Sequence, residues 1–295
     1  MSSFLQEIKN FYSQSNVINR LIVINAIVFI IVNIISLASF LSNNAFYFPL
    51  EYYLGVPADL ANLLFRPYTL ITYMFTHKSL FHIFFNMLLL YWGGLIFREF
   101  LGARRLLATY VLGALIGAFF YILNYNLFPV FQSSLATSYA IGASAGVLAV
   151  FIAIATYLPN YTIVLLLFGS VKLKWVALVM VIIDFINIQN GNAGGHLAHL
   201  GGAIYGFVFA KQLKSGRDLG DWFSRLLDKI ATIGKRKSKI KVVHSKASNQ
   251  TKFGKQVSKD QQERIDKILD KISKSGYENL TADEKRFLFD SSKNI

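Results

Sequence analysis

Six stretches of this chain are apolar for long enough to span a bilayer, at about residues 20–40, 79–98, 105–124, 139–158, 174–190 and 194–212. Runs of roughly 18 or more apolar residues call for hydrocarbon around them rather than a water-soluble core. Lipid offers no water to backbone N–H and C=O groups, so each run must satisfy its own, and a helix does this within one segment. The expected fold class is therefore an all-α membrane protein built as a six-transmembrane-helix bundle. The 295 residues are 54% hydrophobic and 16% charged, more apolar than a soluble domain of that size requires. The first run, Leu21 to Phe40, is longer than a signal-peptide core and lacks a small-residue cleavage site, so it is expected to remain as a helix. With no targeting extension before it, a bacterial plasma membrane is favoured over an organelle.

Charge sets the expected orientation. Residues 98–105 carry Arg98, Arg104 and Arg105, and residues 159–174 carry Lys172 and Lys174. Residues 125–138 and 191–195 carry no charge, and residues 41–78 hold Glu51 and Asp59 against Arg66 and Lys78. The basic connections alternate with the neutral ones, so both termini are predicted to be cytoplasmic. Beyond the last span the chain is basic, with 20 Lys and Arg against 11 Asp and Glu in residues 214–295. On a membrane protein such a tail meets anionic lipid, and no nucleic-acid partner is expected.

Three parts are expected: a transmembrane domain over 1–213, an amphipathic helix and basic linker over 214–258, and a small cytoplasmic helical hairpin over 259–295. In the second, Leu219, Trp222, Phe223, Leu226, Leu227 and Ile230 share one helical face, the pattern of an interfacial helix. Lys235 to Lys241 is strongly basic, and 242–258 reads as linker. In the third, Ile265, Ile268, Leu269 and Ile272 form a helical stripe ending at Gly276, and Thr281 to Glu284 reads as a capping box.

With no cysteine in the chain, disulfides, thiolate metal sites and cysteine nucleophiles are excluded. Polar residues inside spans are costly and are candidates for function. Under the predicted topology spans two, four and six all enter from the non-cytoplasmic side, which sets His82, Asn86, Ser144 and His199 at one depth. Ser144 with His199 as base makes a candidate nucleophilic dyad. His82 and Asn86, four residues apart on one helical face, are candidate oxyanion donors together with the Ser144 backbone N–H. Asp184 is the acidic residue inside a span; it is expected to satisfy helix-end or loop groups rather than to orient His199. His196, three residues before His199, competes as the base but should sit closer to water. The bland alternatives are real: a serine in a membrane helix ordinarily bonds a carbonyl one turn back, and a lone histidine is ordinarily a packed one. Small residues at Ala198, Gly202, Gly206 and Ala210, and at Gly142, Gly146, Ala149 and Ala153, would let spans four and six approach closely.

These motifs resemble the rhomboid family of intramembrane serine proteases. The matching segments are Gly142-Ala143-Ser144, His82-Ile83-Phe84-Phe85-Asn86, and Ala198-His199-Leu200-Gly201-Gly202 continuing to Gly206; His77 also resembles a recurring family histidine. The resemblance covers roughly residues 18–212. It implies that Ser144 is the nucleophile, His199 the general base and then acid, and His82 and Asn86 the oxyanion donors. It implies peptide-bond hydrolysis in or near transmembrane segments of other membrane proteins, with no metal or cofactor. Residues 41–78 would be the family's first extramembrane loop, lying partly in the outer leaflet. The chain departs from the family at Phe65-Arg66, where many members have Trp-Arg, and at Leu148, where many have an aromatic residue packing on the histidine. It departs again at Arg98, where a glutamate is common. The competing functions are a rhomboid-like protein that binds membrane clients without cutting them, a metal enzyme using the histidines and Asp184, and a transporter. The metal reading lacks H-E-x-x-H spacing, and the transporter reading lacks spans broken in repeated halves.

Overall fold

Helix α1 (Val17–Leu41) starts where the Asn16 side chain accepts the N–H groups of Ile18 and Asn19, and it runs for 25 residues with no charge after Arg20. The structure, a computed structural model, describes residues 16–43, 48–165, 168–232 and 259–292. The chain divides into two compact units, Met1–Lys235 and Arg236–Ile295.

Among its described residues the first unit is helical apart from two short antiparallel ribbons and the connecting turns. After α1 come α2 (Leu50–Leu54), β1 (Val56–Pro57), α3 (Leu60–Phe65) and α4 (Thr69–Thr72), which runs on into a 3₁₀ turn at Tyr73–Phe75. Long helices α5 (Leu80–Leu101) and α6 (Ala103–Leu127) follow, then β2 (Tyr139–Ala140) and α7 (Ser144–Tyr157). A hairpin of β3 (Thr162–Leu165) and β4 (Gly169–Lys172) leads to α8 (Leu173–Asn187) and α9 (Ala193–Lys214). Among the described residues α1, α5 and α6 are long and apolar enough to cross a membrane, while α7 is apolar but shorter.

Helix α7 departs from the expected fourth span. The apolar run from 139 reads as one segment, yet Tyr139 and Ala140 pair with β1 and Gly142 takes φ 126°, a left-handed conformation that cannot continue into a right-handed helix. The helix therefore begins at Ser144 and has 14 residues, a length of about 21 Å against a hydrocarbon core of roughly 30 Å. Its side chains are buried nearly throughout, which makes it the centre of the bundle.

Small residues allow that burial. A Cβ on Gly202 would come within 2.1 Å of Ala145 O and one on Gly206 within 2.3 Å of Ala149 O, so α9 lies backbone-to-backbone on α7. Gly146 turns to Tyr110 on α6 instead of α9, and Gly113 and Gly117 of α6 press on Ala149 and Ala145. The sequence reading missed this third close contact.

At the other end of α6, Arg105 pairs with Asp218 at 2.6 Å and Arg104 with Asp228 at 3.2 Å, tying α10 (Asp221–Thr232) to the start of α6. Trp222 and Leu226 of α10 are exposed apolar residues. The Ile230 side chain, the basic stretch Lys235 to Lys241 and the linker expected over 242–258 lie outside the described residues.

The second unit contains α11 (Lys259–Ser275), a 3₁₀ turn at Tyr277–Asn279 and α12 (Ala282–Ser292). Gly276 turns the chain at φ 81°. Thr281 N–H donates to Glu284 Oε2 at 2.8 Å and Glu284 N–H to Thr281 Oγ1 at 3.3 Å, a reciprocal cap at the start of α12. Lys271 pairs with Glu284 at 2.9 Å, and Ile268 and Leu280 are buried.

Candidate active site

Ser144 is the first residue of α7, so no carbonyl one helical turn back is there for its hydroxyl. Its Oγ lies 2.6 Å from His199 Nε2 instead. The two residues are 55 apart in sequence and meet because Gly202, three residues after His199, sits against the backbone of Ala145, next to Ser144. The small-residue stripe thus sets the distance between Ser144 and His199.

Two hydrogen bonds hold the turn before Ser144. Gly142 N–H donates to Tyr73 O at 2.9 Å, and Ala143 N–H donates to His77 Nε2 at 3.3 Å. His77 is fully buried, and that burial, with His82 beside it, holds its pKa down to about 3. It is therefore a neutral acceptor at ordinary pH. The turn also needs glycine at 142, because a Cβ there would come 2.7 Å from His82 Cε1 and 2.8 Å from Nε2. The His82 ring edge is thus set against the residue two before Ser144, and its centroid is 4.9 Å from that of His77, the two rings inclined at 66°.

Asn86 is buried on the same face of α5, and its Nδ2 donates to His82 O at 2.8 Å. That bond uses one of its two amide hydrogens and leaves the other. A cleft of about 320 Å³ adjoins His82, walled by Tyr121, Tyr125, Ser138 to Ile141 and the start of α9. A larger cavity of about 500 Å³ lies between the loop helices and α6; its lining is leucine, isoleucine and phenylalanine with Asn126, and includes none of the candidate site residues.

The Rhomboid domain matches residues 65–215, a little over half of the chain, from Phe65 to the end of α9. The chain belongs to the rhomboid family. One relative, RHOMBOID-like protein 12, mitochondrial, of Arabidopsis thaliana, is 29% identical over 161 residues. That alignment covers 52% of this chain and 48% of the relative, so the chain spans about half the length of the curated relative it matches. Residues 251–294 match a second family, DUF6576, whose function is unknown. This rhomboid is an integral membrane protein. The relative's mitochondrial name gives the expected bacterial plasma membrane no support.

Asp184 corrects the sequence reading of this rhomboid. Its Oδ1 lies 2.8 Å from His199 Nδ1 and 2.8 Å from His196 Nδ1, so it meets histidines and not the helix end or a loop. Leu173, Ala177 and Asp184 fall on one face of α8, and all three are buried while most of the helix is exposed. Nor does His196 sit nearer to water within the protein, since the two histidine side chains are 21% and 23% exposed. Asp184, His196 and His199 bring three possible metal-ligating atoms within 4.8 Å of one another, a closeness that their hydrogen bonds already account for.

At the family departures, Phe65 points outward while Arg66 donates to Tyr52 O at 3.1 Å and stacks 4.5 Å over its ring. Leu148 is buried in the bundle, and Arg98 stands in the last turn of α5, its carbonyl accepting Gly102 N–H.

Proposed function

We propose that this rhomboid is an intramembrane serine endopeptidase that hydrolyses peptide bonds in or near transmembrane segments of other membrane proteins. The observation that carries the reading is the 2.6 Å contact between Ser144 Oγ and His199 Nε2, within the reach needed for proton transfer between nucleophile and base. Ser144 Oγ attacks the scissile carbonyl carbon as His199 Nε2 takes the hydroxyl proton. The oxyanion formed is met by the His82 and Asn86 side chains and by the Ser144 backbone N–H, which as the first of a helix has no intrahelical acceptor. His199 then gives its proton to the leaving amine. Water attacks the acyl-Ser144 ester with His199 again as base, releasing the second product. No metal or cofactor enters the sequence of steps.

The same reading gives α1 and α5 to α9 as six spans with both termini cytoplasmic and Ser144 towards the non-cytoplasmic side. The alternation of basic and neutral connections supports it. It retains the division into 1–213, 214–258 and 259–295, with anionic lipid as the partner of the basic tail.

Labelling of the detergent-solubilised chain with a fluorophosphonate serine probe tests the reading. The wild type should label, and Ser144→Ala and His199→Ala should not, with thermal stability nearly unchanged. Labelling and cleavage should survive a strong chelator. Cleavage that persists in Ser144→Ala would overturn the dyad, and a folded wild type that does not label would favour the client-binding alternative.

A further inference from the structure

We infer that Asp184 is the positioning residue of the nucleophile pair, so that Ser144, His199 and Asp184 act as a triad with His196 bracing the carboxylate. This deepens the protease reading and rests on it. Ser144 Oγ is 2.6 Å from His199 Nε2, and Asp184 Oδ1 is 2.8 Å from Nδ1 across the same imidazole. An ionised carboxylate only accepts hydrogen bonds, and a neutral imidazole carries one N–H. The bond to Asp184 therefore places the His199 proton on Nδ1 and leaves the Nε2 lone pair facing the serine hydroxyl, the tautomer a general base requires.

The carboxylate's location argues the same way. Asp184 is buried on α8, and α1, α6, α7, α8 and α9 together contain no other acidic residue. A carboxylate there is strongly disfavoured unless N–H groups meet it. Two do, both at Oδ1, from histidines three residues apart on α9 and so on nearly the same face. The ring that meets Ser144 is that of His199, while His196 Nδ1 bonds Asp184. Its bond holds Oδ1 in place while His199 cycles between imidazole and imidazolium. When Ser144 loses its proton to Nε2, the charge on the ring is balanced by Asp184, which itself takes no proton.

A purely structural link between α8 and α9 would also place these groups together, so the test needs a readout that such a link leaves unmoved. Asp184→Asn keeps the size but presents an N–H that favours the opposite His199 tautomer. The fluorophosphonate labelling rate should fall by about a hundred- to ten-thousand-fold, the melting temperature should change little, and Asp184→Glu should recover part of the rate. In the full chain with 15N-histidine, the His199 signal should report a proton on Nδ1 in the wild type and on Nε2 in Asp184→Asn, with His199→Ala giving the assignment. A wild type that labels while Asp184→Asn labels equally fast overturns the role of Asp184 and leaves the protease reading standing. A wild type that never labels overturns the protease reading, and the nitrogen spectra alone then decide whether Asp184 sets the tautomer: an unchanged His199 signal in the variant overturns it.

Discussion

His77 shows how much of the turn before Ser144 is held by a residue from another part of the chain. It accepts the Ala143 N–H one residue before Ser144, and it can do so only while neutral. Burial lowers its pKa from 6.5 to about 3 in the folded chain, so below pH 6.5 the unfolded state binds a proton that the folded state refuses. Its contribution is therefore complete above about pH 6.5 and is lost as pH falls towards 3, by up to about 1.4 kcal/mol per pH unit. The melting temperature of the solubilised protein should drop over that window, and His77→Gln, which keeps an acceptor and does not titrate, should flatten the drop. A residue-scale reading of the sequence finds Ser144, His199, His82 and Asn86 because each is a polar side chain where hydrocarbon disfavours one. It misjudges Asp184 because the partner lies on another helix, and spacing within one helix carries no information about which neighbour a face will meet. It names His77 but gives it no task, since a loop histidine acquires one only when the nucleophile turn folds against it.

The elements that bring these residues together are three helices, not two. Gly202 and Gly206 let α9 lie on α7, and Gly113 and Gly117 let α6 do the same from another side. Gly202→Ala would drive a methyl to 2.1 Å from Ala145 O, and neither backbone can yield without moving Ser144 or His199. We expect it to cost about 1–3 kcal/mol by thermal unfolding in detergent. It should also cost more labelling of Ser144 than the stability loss alone explains. The stripe on α9 was legible in the sequence because it repeats every four residues. The start of α7 was not, because hydropathy stays high from Tyr139 to Ser144 while the backbone passes from strand to left-handed turn to helix.

At the scale of the whole molecule, the absence of cysteine offers a clean background for testing the proposed orientation. Ser133→Cys, exposed in the connection after α6, should react with an impermeant maleimide from the non-cytoplasmic side. Ser215→Cys, exposed just after α9, should react only once the cytoplasmic side is opened. Equal access to both would break the six-span arrangement. The brevity of α7 then acquires a meaning of its own. Hydrolysis consumes one water per bond cut, and the oily middle of a bilayer holds almost none. A central helix about 21 Å long cannot fill a layer of roughly 30 Å, so in the proposed arrangement part of the membrane's thickness beside Ser144 is taken up by the loop that precedes α7 and the cleft next to His82. On the protease reading, the second reactant is then delivered by the shape of the fold, through the gap that one short helix leaves.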